Sequence, residues 1–182
     1  TKNADAVSVP SHALSNHISM SWGISMEQIK VLPNPVDTDV FKPNGITAKR
    51  KKILYVGRLQ YNKGIYDLTE AVKPLLAEHP DLTLRIIGKD LPTPKCIRSK
   101  YKMASEEILS RIAPQNRKQV IISGWVELNE AIRHQQNAMC TVVPSRGFES
   151  FSYTLTEQMA CGAAVVATHC GGPTEIVNNE ID

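Results

Sequence analysis

Pro144-Ser145-Arg146-Gly147-Phe148-Glu149-Ser150-Phe151-Ser152-Tyr153-Thr154-Leu155-Thr156-Glu157-Gln158-Met159-Ala160-Cys161-Gly162 is the stretch on which the reading of the fold depends. It follows the apolar run Met139 to Val143, which reads as a buried strand. Helical character then runs from about Ser152 to Cys161, Gly162 breaks it, and Ala164 to Ala167 opens another strand. A strand, a helix and a strand in so short a span pair most simply as parallel neighbours, because the helix carries the chain back across the sheet.

The same rhythm extends upstream. Strands are expected at Ile53 to Val56, Leu82 to Ile87 and Val120 to Ile122, with helices from Lys63 to Glu78, Met103 to Ile112 and Leu128 to Gln136. In the first of these helices Ile65, Leu68, Val72, Leu75 and Leu76 fall at spacings of three and four. Lys89 to Lys100, with two prolines, reads as a loop, and a last helix begins near Gly172. Nearly continuous apolar strands suit a sheet covered on both faces. The fold class is therefore α/β, a Rossmann-like parallel sheet with helices on both faces, reached by right-handed crossovers. In such sheets ligands sit beyond the carboxyl ends of the strands, which directs attention to the segments after Val56, Ile87, Ile122, Val143 and Ala167.

Nearer the N-terminus, Ala6 to Val9 and Ile29 to Leu32 read as short strands around a helix from about Ser11 to Trp22. Ser11 is a natural N-cap and Gly23 a natural stop. Pro33-Asn34-Pro35 then opens a loop to about Arg50.

Composition narrows the class. The chain has 182 residues, 42% hydrophobic and 21% charged, as in ordinary globular proteins. A net charge of +3, with basic residues interspersed among acids, gives no nucleic-acid signature, and the Lys49 to Lys52 run reads as a solvated loop. Cys96, Cys140, Cys161 and Cys170 form neither a C-x-x-C pair nor a zinc-like spacing, so no metal site and no disulfide framework is expected; Cys140 and Cys161 read as buried thiols in a reducing, cytoplasmic setting. No apolar run approaches the roughly 18 residues of a membrane span.

Two segments carry chemistry. Gly57-Arg58-Leu59-Gln60-Tyr61-Asn62-Lys63-Gly64 leaves a buried strand and enters a helix, and its two cations oppose the helix dipole. A bound diphosphate would relieve that conflict, Arg58 offering a planar fork and Lys63 a point charge. In the second segment Ser150 or Ser152 would cap a helix whose free N–H groups can cradle phosphate, while Glu149 and Glu157 can grip opposite ends of one extended ligand. Spacing alone favours plainer roles, an acid in the first turn and a solvated helical face.

Taken together the residues support more. Val143 to Val177 resembles the E-x7-E region of family-four retaining glycosyltransferases with the GT-B fold: Glu149 and Glu157 match the two acids, within Pro144-Ser145, Met159-Ala160-Cys161-Gly162, Val165-Val166-Ala167 and Gly171-Gly172. Val56-Gly57-Arg58 with Lys63-Gly64 is similar to the family's phosphate motif, and Leu32-Pro33-Asn34-Pro35-Val36-Asp37 through Phe41-Lys42-Pro43 to its interdomain loop. The resemblance implies that residues 1–45 are the tail of an N-terminal acceptor domain with its linker, and residues 46–182 a donor-binding domain truncated at its end.

Roles follow from the resemblance position by position. Arg58 and Lys63 would neutralise the diphosphate of the donor, Glu157 would accept the ribose hydroxyls, and Glu149 would hold the transferred sugar. Gly57, Phe151, Ser152, Tyr153 and Thr154 would line the phosphate end, and Gly171 and Gly172 would lie close to the sugar. Trp125 and Val126 fit the region that contacts the base, although Trp125 reads equally as a packing residue. The donor would be a UDP- or GDP-sugar, with no further cofactor and no metal. The acceptor would be a saccharide or a lipid-linked molecule on the missing domain, in a setting compatible with peripheral association at the inner face of a membrane. The acceptor would attack on the face that the nucleotide leaves, without a protein nucleophile, unlike the paired carboxylates of retaining glycosidases. Ser152 and Gln158 stand where the commoner family forms have Gly and Ala, and Ala163-Ala164 replaces a frequent x-Pro, which bears on fine donor geometry.

Other classes fit less well. A dinucleotide oxidoreductase would need a G-x-G-x-x-G turn that Gly57 to Gly64 lacks, and a phosphorylase would need a cofactor lysine motif. A non-catalytic nucleotide-sugar binding module remains the alternative. The chain opens without methionine, and Asp182 falls within an expected helix, so a piece of a longer protein, inactive by itself, is expected.

Overall fold

The computed structural model describes residues 4–45 and 51–177. Lys49 and Arg50 of the expected loop at Lys49 to Lys52, and the far end of the helix beginning near Gly172, lie outside those residues, and Lys52 belongs to a strand rather than the loop.

A small unit comes first. Strand β1 (Val7–Val9) and strand β2 (Ile29–Val31) pair in parallel across helix α1 (His12–Trp22), and Val9, Ile18 and Ile29 form their shared core. Ser11 caps α1 as its side chain predicts, accepting from the Leu14 N–H at 3.0 Å, and Gly23 ends it in the left-handed conformation at φ 67°.

The main sheet is built from β3 (Lys52–Val56), α2 (Ile65–Glu78), β4 (Thr83–Ile87), α3 (Ala104–Arg111), β5 (Val120–Ile122), α4 (Leu128–Gln136), β6 (Cys140–Val143), α5 (Tyr153–Ala160), β7 (Val165–Ala167) and the short α6 (Pro173–Ile176). All five strands run parallel in the order β5-β4-β3-β6-β7. The chain moves outward in one direction from β3, then returns to β3's other side at β6, which is the topological switch point of a doubly wound sheet.

Alternation along β3 explains why both faces are covered. Ile53 and Tyr55 point into a core with Ile65, Val72 and Leu76 of α2 and Ile108 of α3, whereas Leu54 between them faces the layer of α4 and α5 and is fully buried. Two expectations need correction. The helix begins at Ile65 rather than Lys63, because residues Tyr61–Lys63 form a 3-10 turn and Gly64 at φ 69° interrupts the helical path. Leu75, expected on the apolar face, is 40% exposed, since the inward stripe of α2 is Ile65, Leu68, Val72 and Leu76. Of the two thiols expected inside, Cys161 is buried and Cys140 only partly so.

Candidate functional site at the switch point

The two motif segments leave the carboxyl ends of β3 and β6, neighbouring strands at the switch point, and are knitted together there. Gly64 packs so closely on the Pro144 carbonyl that a Cβ would lie 1.7 Å from its oxygen. The Arg146 N–H donates to the Asn62 carbonyl at 3.0 Å. The Arg146 guanidinium also bonds Asp67 at 2.6 Å and lies over the Tyr61 ring, 4.4 Å from its centroid. On the β4 side the Gly57 N–H donates to the Ile87 carbonyl at 2.9 Å, and a Cβ on Gly88 would lie 1.9 Å from the Gly57 oxygen. The Tyr55 hydroxyl donates to the Arg58 carbonyl at 2.8 Å, and burial pushes its pKa far enough up that it stays a neutral donor.

This scaffold brings Lys63 and Glu149 together, with the Lys63 Nζ 2.5 Å from the Glu149 Oε2. Ser145 Oγ donates to the same oxygen at 3.2 Å. The side chains are 32% and 18% exposed, so the pair is shielded from bulk water without being sealed from it. Glu149 thus supplies a counter-charge to Lys63, one of the two cations that the sequence places near the helix start. The pair sits in a narrow cleft of about 50 Å³, walled also by Gly57, Ser152 and Thr154. Helix α5 starts at this wall, with first-turn N–H groups that an α-helix cannot satisfy internally.

Gly57 also borders a wider pocket of about 340 Å³, shared with Arg58, Gly88, Lys89, Trp125, Val126 and Glu157. That volume is within the usual range for small-molecule sites. Trp125 is 70% exposed at the rim and packs into no core among the described residues. Glu157 is partly buried, and desolvation raises its carboxyl pKa from the ordinary value. A larger cavity of about 450 Å³ along β7 is lined by Val165, Thr168, His169 and Thr174, and includes none of the expected site residues.

Some expected residues stand elsewhere. Gly171 and Gly172 line neither the cleft nor the pocket; they back the main chain of Glu149, the Gly172 N–H donating to the Glu149 carbonyl at 2.8 Å. Phe151 is buried, at 6% exposure, and Tyr153 is half-exposed; neither reaches either space. Gly88, Lys89 and Ser145 had no assigned role, although the first two follow the end of β4, where the switch-point rule points.

Ser152 occupies the cap position of α5, yet its side chain makes no capping bond. The physical reason is its backbone, at φ 89° and ψ 85°, the single non-glycine residue with positive φ among those described. Such a conformation stores strain that glycine would not. Ser152→Gly is expected to raise stability by about 1 kcal/mol, measured as the midpoint of urea unfolding; an unchanged or lower midpoint would show that the turn is unstrained.

Comparison with known proteins places this geometry in a family context. The family model "Glycosyl transferases group 1" matches residues 36–182. A phosphatidylinositol N-acetylglucosaminyltransferase component from Arabidopsis thaliana is 24% identical over 177 residues, covering 94% of this chain and 36% of the relative. The chain therefore spans about a third of that relative's length. Among solved structures, a glycosyltransferase from Rickettsia africae aligns with a TM-score of 0.80 at 23% identity, covering 97% of this chain and 48% of that one. An Anabaena protein crystallised in complex with UDP and glucose aligns with a TM-score of 0.77 at 21% identity, covering 97% and 47%. At these identities the structural likeness speaks to the fold, which is part of a GT-B architecture.

Proposed function

Because the chain belongs to the group 1 glycosyl transferases, we propose that the cleft and pocket around Gly57 are the donor site of a retaining enzyme that transfers a sugar from a nucleotide-diphosphate sugar. One observation carries this reading: two acids one E-x7-E interval apart open into two adjoining spaces, Glu149 into the narrow cleft with Lys63 and Glu157 into the wide pocket with Arg58 and Trp125. The nucleoside would occupy the wide pocket, its ribose hydroxyls donating to Glu157 and its base near Trp125 and Val126. The diphosphate would lie between Arg58, Lys63 and the start of α5, and the sugar would exchange hydroxyls with Glu149. UDP in the Anabaena neighbour favours a uridine or similar nucleotide.

In the reaction the bond from the anomeric carbon to the phosphate oxygen breaks, and the nucleotide diphosphate departs with the electron pair. The acceptor hydroxyl adds on the same face and its proton passes to the departing phosphate. Arg58 and Lys63 act by stabilising charge that grows on the leaving group. A saccharide or lipid-linked acceptor would sit on a further domain. Residues 1–45 are proposed as that domain's tail and the linker, which the separate sheet of β1 and β2 supports.

Calorimetry of UDP, GDP and their sugars tests the division of labour. Glu157→Ala is expected to weaken bare nucleotide by about 10- to 100-fold, the loss of charge-assisted hydrogen bonds. Glu149→Ala should leave bare nucleotide affinity within about threefold while removing the extra affinity conferred by the sugar, and transfer with it. Equal loss of bare nucleotide affinity in both variants would contradict the assignment; normal sugar-nucleotide binding by an inactive full-length protein would mark a binding module instead.

The raised Glu157 pKa adds a pH signature. Ribose hydroxyls bind the ionised carboxylate, so affinity should fall as pH drops through that raised value, and Glu157→Ala should flatten the dependence. Stability moves the other way. Between the ordinary and the raised pKa the folded chain holds a proton that the unfolded chain has lost, so this residue's contribution declines as pH rises.

A further inference from the structure

We propose that Ser11, His17 and Glu175 form a clamp that positions Glu149 from outside the cleft, a role that rests on reading Glu149 as the acid that holds the donor sugar. The segment that carries Glu149 is gripped on both sides by α1. On one side the Phe148 ring stacks on the His17 imidazole, with centroids 4.8 Å apart and planes 23° from parallel. On the other, Ser11 Oγ donates to the Ser150 carbonyl at 2.6 Å while accepting from the Leu14 N–H. Ser11 is 2% exposed, so one hydroxyl both caps the helix and holds the residue after Glu149, with no water available to take either place.

Glu175 closes the arrangement. Its two carboxylate oxygens accept from the His12 and Ala13 N–H groups at 2.9 and 2.7 Å. These belong to the first turn of α1, where a helix leaves its donors unsatisfied and favours negative charge. Helix α1 has no acid in its own first turn, and Glu175 supplies one from 163 and 162 residues away. Glu175 also bonds back toward the site: its N–H donates to the Gly172 carbonyl at 2.9 Å, and the Gly172 N–H donates to the Glu149 carbonyl at 2.8 Å. Glu149 and Ser150 therefore offer their consecutive carbonyls to two holders, Gly172 and Ser11, and Glu175 ties those holders to each other. The ring Glu149, Gly172, Glu175, the start of α1, Ser11 and Ser150 is closed by hydrogen bonds and chain alone.

This ring joins the small β1-α1-β2 unit to the sugar end of the site. The unit has its own core and its own sheet, so its seating on the main sheet fixes, or frees, the main chain of Glu149. The wide pocket with Glu157 lies outside the ring. Loss of the clamp should therefore damage the transfer step and spare nucleotide binding.

The test uses the full-length protein that contains this chain. Glu175→Ala is expected to lower kcat about tenfold, the scale of a slight misplacement at a reacting centre, with the dissociation constant of the bare nucleoside diphosphate unchanged within about twofold. Glu175→Gln, which keeps one acceptor oxygen, should recover part of the loss. Ser11→Ala should behave like Glu175→Ala, and Ser11→Thr, which restores the hydroxyl, should rescue it. In amide hydrogen exchange, Glu175→Ala should speed exchange at His12 and Ala13. The clamp is overturned if kcat is unchanged, if nucleotide affinity falls in step with kcat, or if exchange at His12 and Ala13 does not move. Glu149→Ala serves as the reference: if it abolishes transfer while Glu175→Ala does not, the clamp alone is wrong, and if it leaves transfer intact, the reading of the site fails together with the clamp.

Discussion

Lys63→Ala in the full-length protein is expected to reduce the rate of sugar transfer by about 100- to 1000-fold, the usual cost of deleting one preorganised donor at a site of developing charge. The ammonium group is held by Glu149 at 2.5 Å in a narrow cleft that shields the pair from bulk water without sealing it. On the proposed reading, negative charge would grow beside that cation as a nucleotide leaves, and little reorganisation would be required of it. The loss should fall on kcat more than on nucleotide affinity, because Arg58 and the start of α5 would still bind the ground-state phosphates. Lys63→Arg should not restore the rate, since a planar fork cannot occupy the position of a compact ammonium. Stability should change little: a partly exposed pair contributes no more than about 1 kcal/mol. Steady-state kinetics decide the matter, and a loss below about tenfold would remove Lys63 from the chemistry. A double cycle with Glu149→Ala should be strongly non-additive, as for any pair in direct contact.

Gly64→Ala should be the most damaging single change to the fold. Two penalties coincide at this residue. Its φ of 69° is costly for any residue with a side chain, and the added carbon would stand 1.7 Å from the Pro144 oxygen and 2.6 Å from its carbon. Both are backbone atoms of the opposing loop, so no rotamer change relieves the overlap. Either β3's loop or β6's loop must withdraw, and with it the meeting of Lys63 and Glu149. A loss of about 3–5 kcal/mol is expected, together with loss of transfer. Gly23→Ala provides the comparison, because Gly23 has nearly the same φ, 67°, with nothing within 4 Å of the added carbon. It should cost only the left-handed backbone, about 1–2 kcal/mol. Chemical unfolding of both variants separates the terms, and equal destabilisation would refute the close approach of the two loops.

How much of this was legible in the sequence depends on the range of the interaction concerned. Strand and helix positions follow from local periodicity, and every expected strand of the main sheet is present within a residue or two. The strand-end rule was also legible and named five segments, after Val56, Ile87, Ile122, Val143 and Ala167; only the strand order shows that those after Val56 and Val143 leave neighbouring strands at the switch point. The break before α2 was not: Gly64 reads as a helix residue until Pro144, eighty positions on, is seen pressing against it. Ser152 reads as a cap, and only its left-handed backbone shows why its hydroxyl does not serve as one. The Lys63–Glu149 bond spans 86 residues and the Glu175 bonds to α1 span 163 and 162, distances over which a linear pattern carries no signal. Gln119 is similar, a buried amide whose Nε2 donates to the carbonyls of Leu76, His79 and Leu82 and so closes the end of α2. Trp125 was undecided by sequence because a tryptophan just past a strand suits either a core or a rim, and among the described residues it stands exposed at a rim.

On the proposed reading, the bond between Lys63 and Glu149 also bears on what the cleft attracts. A cleft with an unpaired cation would attract small anions of any kind. Here the attraction of Lys63 is already taken up by Glu149, so a simple oxyanion gains less from that cation by entering. A sugar nucleotide differs in kind. In the proposed donor site its phosphates would replace the carboxylate as partners of the lysine, while its sugar hydroxyls would take up the carboxylate so released. Entry would become an exchange of partners that only a molecule with both parts can complete, and the cleft would discriminate before any contact with the base is made.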